Sequence, residues 1–216
     1  MADNSDDRIR LTLSRSTGFM LDVDLRLPSG GVTVLFGVSG CGKTTVLRSA
    51  AGLEKAQGYV RIAGQVWQDD EKHLFVPTYK RRIGYVFQEA SLFDHLNVRE
   101  NLRFGLKRIS DEDGEKRLDD AVELLGIGHL LERRTSELSG GERQRCAIAR
   151  SLAIKPTALF MDEPLAALDH ARRLEIVPWI DRLKKELNLP ILYVTHSEEE
   201  VMRLADRLAV IDNGKL

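Results

Sequence analysis

The run VTVLFGVSGCGKTT constrains this chain more than any other segment. Val32–Phe36 is nearly continuous in apolar or β-branched residues and leads directly into Gly37-x-x-x-x-Gly42-Lys43-Thr44. Such a loop turns tightly, so that successive backbone N–H groups point inward at phosphate oxygens. The helix expected from about Lys43 to Ala51 adds the positive end of its dipole. Within that cradle of Gly37, Val38, Ser39, Gly40, Cys41, Gly42 and Thr45, Lys43 would reach β- and γ-phosphates. Thr44 would offer its hydroxyl to Mg2+.

A strand that feeds a phosphate loop and then a helix belongs in an α/β sheet, and the rest of the chain agrees. Ala158–Met161, Ile191–Thr195 and Leu208–Ile211 are short apolar runs like Val32–Phe36, the pattern of parallel strands covered on both faces. Helical patterns lie between them; one places Leu118, Ala121, Val122 and Leu125 on one face, with Gly126 as its stop. Ile9–Leu13, Met20–Leu27 and Tyr59–Ile62 alternate or cluster differently, with turns at Pro28–Gly31 and Ala63–Gly64. They read as a small antiparallel sheet. From about Glu89 to Ala153 only helical periodicity and loops occur. The expected fold class is therefore α/β: a mainly parallel sheet, an antiparallel β subdomain and an inserted α-helical subdomain. Its divisions are 1–88, 89–153 and 154–216.

Bulk properties narrow the function classes. With 43% hydrophobic and 30% charged residues over 216 positions, the chain can build a core under a soluble surface. A net charge of -1 provides no polyanion footprint, so nucleic acid is not an expected partner. Charge blocks such as Asp111–Asp113 and Glu132–Arg134 read as solvated faces. Cys41 and Cys146 are the two cysteines, far apart, which suits a reducing compartment. No apolar run approaches the roughly 18 residues needed to cross a bilayer, and the polar, acidic start does not read as a secretory signal.

ALFMDEP is a buried strand ending in Asp162 and Glu163. Carboxylates at the C-terminal edge of a parallel strand sit where doubly wound sheets place ligands. Asp162 would hold the metal and Glu163 would act as general base on a water. ILYVTH ends in His196 at the same edge. Taken singly, a DE pair is as readily an N-cap, and Ser197-x-x-Glu200 reads as a capping box whatever His196 does. A second glycine pair lies in LSGGERQR, Leu138–Arg145. Ser139 would cap a helix starting near Glu142, and Gly140 and Gly141 leave its first N–H groups open to a ligand.

The order of Gly37–Thr44, Gln88, Leu138–Glu142, Asp162–Glu163, Leu168–Asp169 and His196 resembles the ATP-binding-cassette ATPases over essentially the whole chain. These stretches match that family's Walker A loop, Q-loop, signature motif, Walker B strand, D-loop and switch histidine. The resemblance implies a P-loop NTPase (RecA-like) core and a head-to-tail homodimer burying two ATP with Mg2+. Ser139, Gly140 and Gly141 would contact the γ-phosphate held by the opposite subunit, with Asp169 at the same interface. Gln88 would contact the metal and the attacking water. In this family adenine stacks on an aromatic residue before the Walker A strand; Phe19 is nearest, whereas Ser14 to Ser16 occupy the usual place.

Lys80–Gly105 is similar to the corresponding segment of bacterial importer ATPases, which implies a transmembrane permease docked near Leu92, Phe93, Leu96 and Phe104. Each of these residues also reads as ordinary subdomain core. FGVSGCGKTT, KRRIGYVFQ, VPWIDRLKKELNLPILYVTH and LADRLAVIDNGKL most resemble the molybdate-importing branch, whose members carry a proline in the helix corresponding to that around Pro178. That branch continues past the position of Leu216 into an anion-sensing domain. The resemblance implies a peripheral subunit on the cytoplasmic face of the inner membrane, linked through the permease to a solute-binding protein. Import of sulfate, iron or a polyamine, and a soluble non-transport ATPase, remain the alternatives.

Overall fold

Alternation builds the first layer. In β1 (Arg8–Ser14) and β2 (Met20–Arg26), Ile9, Leu11, Leu21, Val23 and Leu25 are buried while Arg10, Asp22 and Asp24 between them face outward. This is the period of a sheet covered on one side. β1 pairs antiparallel with β2 and with β4 (Gln57–Ile62). β5 (Gln65–Asp69) and β6 (Leu74–Phe75) complete the order β2-β1-β4-β5-β6. The computed structural model describes residues 7–106, 113–187 and 189–216; most of the charge block Asp111–Asp113 lies outside them.

The second sheet is parallel throughout, in the order β10-β3-β9-β8-β7. Its members are β3 (Gly31–Phe36), β7 (Ile83–Val86), β8 (Ala158–Asp162), β9 (Pro190–Thr195) and β10 (Arg207–Val210). β8 and β9 are buried at every residue, which is why they read as unbroken apolar runs. β10 corrects an expectation. It is an edge strand with Leu208 and Val210 more than half exposed, not a strand covered on both faces. β7 was not legible as a strand, because it is only four residues long and contains Gly84. That glycine is a packing requirement: a Cβ there would lie 2.8 Å from Leu159 and 2.9 Å from the Ser151 carbonyl oxygen.

Helix α1 (Lys43–Ala51) is packed between the two sheets. Val46, Leu47, Ala50 and Ala51 share one apolar cluster with Ile9, Leu11 and Val60 of one sheet and Leu35, Phe160, Leu192 and Val194 of the other. α2 (Val98–Arg103), α3 (Gly114–Leu124) and α4 (Gly140–Ala153) fall between β7 and β8. α3 buries Leu118, Ala121 and Val122, and the chain reverses at Gly126 as the sequence implies. α5 (His170–Glu186) contains Pro178, and α6 (Glu198–Leu204) follows β9. Ser197 caps α6 by accepting from the Glu200 N–H at 3.4 Å, but the expected box stays half made. The Glu200 carboxylate instead accepts a 2.8 Å bond from the buried Tyr193 hydroxyl.

Candidate functional site

β3, β9 and β8 are neighbours, so the loops leaving their C-terminal ends meet. The first is the glycine loop. Gly42 caps α1 at φ 111°, a conformation that L side chains rarely adopt, and as a glycine offers no side chain to the first helical N–H groups. Val38, Ser39 and Gly40 form an exposed crown, while Gly37, Cys41 and Thr45 are buried beneath it. Phe19 packs against the loop: a Cβ on Gly42 would lie 2.9 Å from its ring. Lys43 is 3% exposed, and its ammonium donates to the carbonyl oxygens of Gly37 and Val38, both at 2.8 Å.

Two carboxylates close the site from β8. The Thr44 hydroxyl donates to Oδ1 of Asp162 at 2.8 Å, and the Tyr85 hydroxyl donates to Oδ2 at 3.2 Å. Burial pushes the Asp162 carboxyl above the usual carboxylate range, and these two hydrogen bonds oppose that rise. Burial, followed by the Asp162 charge, holds the Tyr85 phenol well above its ordinary range, so it remains a donor. Glu163 turns the chain at φ 43° while its N–H donates to the Val194 carbonyl oxygen of β9 at 3.0 Å. One of its carboxylate oxygens lies 3.4 Å from Lys43 Nζ and the other 3.0 Å from His196 Nδ1. The structure therefore brings Lys43, Glu163 and His196 into one contact chain beside the Thr44–Asp162 bond. The oxygen donors Thr44 and Asp162 suit a hard divalent cation.

The remaining candidates lie elsewhere. Gln88 makes no hydrogen bond to Thr44 or Asp162 among the described residues. It lines a cleft of about 360 Å3 with Asp94, Gly140, Gln144, Pro164 and Leu168. Ser139 caps α4, its side chain accepting from the Glu142 N–H at 3.3 Å, while the Glu142 carboxylate accepts from the Ser139 N–H at 2.8 Å. α4 begins at Gly140, two residues before the expected start. No hydrogen bond joins Ser139, Gly140 or Gly141 to Gly37–Thr44 among the described residues. Asp169 caps α5 by accepting from the Arg172 N–H at 2.9 Å. Nothing in the sequence pattern marks Tyr85 except its position, three residues before Gln88 on the short strand β7.

The ABC transporter family profile matches residues 20–166. The chain belongs to the ABC transporter family. That membership bears out the resemblance read from the motif order, and solved ABC domains share the fold. The chain is 30% identical to cbiO1 from Clostridium perfringens, part of the ABC transporter complex cbiONQ, with a TM-score of 0.83 and coverage of 97% of this chain and 87% of that one. It is 26% identical to the ATP-binding cassette MJ0796 in a dimeric post-hydrolysis state bound to ADP and Pi, with a TM-score of 0.77 and coverage of 97% and 95%. Among curated ABC proteins, it is 60% identical to the Molybdenum import ATP-binding protein ModC of Thiobacillus denitrificans over 92% of this chain and 54% of that one. The protein of the same name from Pseudomonas syringae pv. tomato is 58% identical over 92% and 55%. The chain thus spans about half the length of the curated relatives it matches. No helix among the described residues is long and apolar enough to cross a membrane.

Proposed function

We propose that this ABC domain is the ATP-hydrolysing subunit of a bacterial importer that pairs with a second copy around two ATP and drives uptake of molybdate through a transmembrane permease. The observation that carries the hydrolytic reading is the contact chain Lys43–Glu163–His196 beside the Thr44–Asp162 bond. Lys43 and the N–H groups of Gly37–Thr45 bind and orient the phosphates. Glu163 accepts a proton from the attacking water, and His196 holds its second oxygen in place. Thr44, Asp162 and Gln88 would hold Mg2+, which when bound would neutralise charge on the β- and γ-phosphate oxygens.

Ser139, Gly140 and Gly141 serve the phosphate of the partner's loop, with Asp169 beside them. The support for this is a capped helix start with two glycines that, among the described residues, makes no hydrogen bond to this chain's own phosphate loop. The division into 1–88, 89–153 and 154–216 then separates two nucleotide-binding parts from a helical one that receives the permease. There, half-buried Phe93 and Phe104 stack with ring centroids 4.3 Å apart, held by Asn101, which bonds both the N–H and the carbonyl of Phe93. The subunit sits peripherally on the cytoplasmic face of the inner membrane, and the solute reaches the permease from a solute-binding protein. Molybdate as the solute rests on the relatives' printed name, molybdenum import.

The test has two arms. Glu163→Gln should bind ATP with Mg2+ normally and lose hydrolysis by at least about a hundredfold; undiminished hydrolysis removes Glu163 as the base. Cells deleted for this gene should lose uptake of labelled molybdate but not of sulfate. Intact molybdate uptake overturns the solute assignment alone.

A further inference from the structure

Asp162 accepts one hydroxyl hydrogen bond on each oxygen, and the two donors come from different parts of the fold. Thr44 belongs to the phosphate loop, whereas Tyr85 belongs to β7, the strand flanking β8 in the parallel sheet. Tyr85 lies opposite Phe160 in the register, two residues before Asp162 on the same face. Its ring therefore runs diagonally along the sheet surface, and its hydroxyl meets the carboxylate at the strand end. The Phe87 ring packs against it with centroids 4.4 Å apart, and its other neighbours belong to the cluster around α1 and Phe160.

We propose that Tyr85 is a positioning residue for the metal-holding carboxylate: its hydroxyl fixes Oδ2 of Asp162 and so turns Oδ1 toward Thr44 and the cation. The inference rests on the magnesium reading above and adds to it a residue outside the phosphate loop. The terminal torsion of an aspartate is broad, so a carboxylate held through one oxygen alone can rotate. Two hydroxyls, one on each oxygen, define its plane. The hydrogen bond from Tyr85 comes from a packed strand, the kind of support that keeps a ligand in place before the metal arrives.

The variant that isolates the hydroxyl is Tyr85→Phe, which keeps the ring and its contacts. ATP binding would be titrated calorimetrically against Mg2+, and separately in EDTA, for wild type and variant, with melting curves to show that both fold. The expected result is a half-saturating Mg2+ concentration raised about ten- to a hundredfold, the usual cost of losing a hydrogen-bond partner behind a metal ligand. ATP affinity in EDTA should not change. An unchanged Mg2+ requirement in folded Tyr85→Phe overturns the assignment, as does an equal loss in EDTA, which would make the hydroxyl a packing element. If wild type itself shows no Mg2+-dependent tightening of ATP, the metal reading falls and this inference with it.

Discussion

Glu163 occupies a left-handed backbone conformation at φ 43°, which L residues other than asparagine and aspartate seldom adopt. It does so where β8 ends, with its N–H bonded to β9 and its carboxylate between Lys43 and His196. Strain of this kind is held in place by surrounding structure and collects at working sites. The predicted consequence is separable from activity. Glu163→Gly and Glu163→Ala should both lose hydrolysis, but the glycine variant should be more stable than the alanine variant by about 1 kcal/mol, because only glycine adopts that φ freely. Chemical denaturation of the two proteins checks this. Equal stabilities would mean that the backbone at Glu163 relaxes once its side chain is gone.

At the scale of elements, the start of α4 carries both a cap and the glycines proposed to meet a phosphate. Its first turn is closed by the reciprocal Ser139–Glu142 box. The Ser139 N–H, donating to Glu142, lowers that carboxyl below its usual range. A depressed carboxylate contributes stability above its unfolded value, and that contribution is lost as pH falls through the lower folded value. Glu142→Gln should therefore flatten the acid limb of the melting temperature against pH below about pH 4, where a free glutamate titrates. An acid limb identical to wild type would contradict the cap's role. The sequence made this helix legible because serine, two glycines and glutamate together specify a start, and the same holds for α1, whose limits match the reading. β7 and β5 were not legible, for physical reasons. β7 is short and broken by a glycine needed for close packing, and β5 buries Gln68 and Asp69 beside Trp67, so neither shows an apolar run. Of the site, the residue types and their order could be read from the chain. The Tyr85–Asp162 bond could not, because it depends on β7 lying beside β8, and nor could the half-made Ser197–Glu200 cap, because it depends on Glu200 of α6 meeting the Tyr193 hydroxyl of β9.

At the scale of the whole molecule, two elements proposed to meet phosphates lie on one chain, with no hydrogen bond between them among the described residues. The first has Lys43, Glu163 and His196 in contact beside the Thr44–Asp162 bond. The second, at Ser139–Gly141, is a capped helix start that we propose meets a phosphate supplied by another copy. In the proposed function such an arrangement would make ATP the link between subunits, so that removal of the γ-phosphate would loosen the pair and move whatever is docked on it. The most direct measurement is light scattering of Glu163→Gln with saturating ATP and Mg2+, beside the same protein also carrying Ser139→Arg. The account predicts a dimer for the first, and for the second a monomer that still binds ATP. A monomeric Glu163→Gln protein under saturating ATP, or a double variant that dimerises equally well, would contradict it.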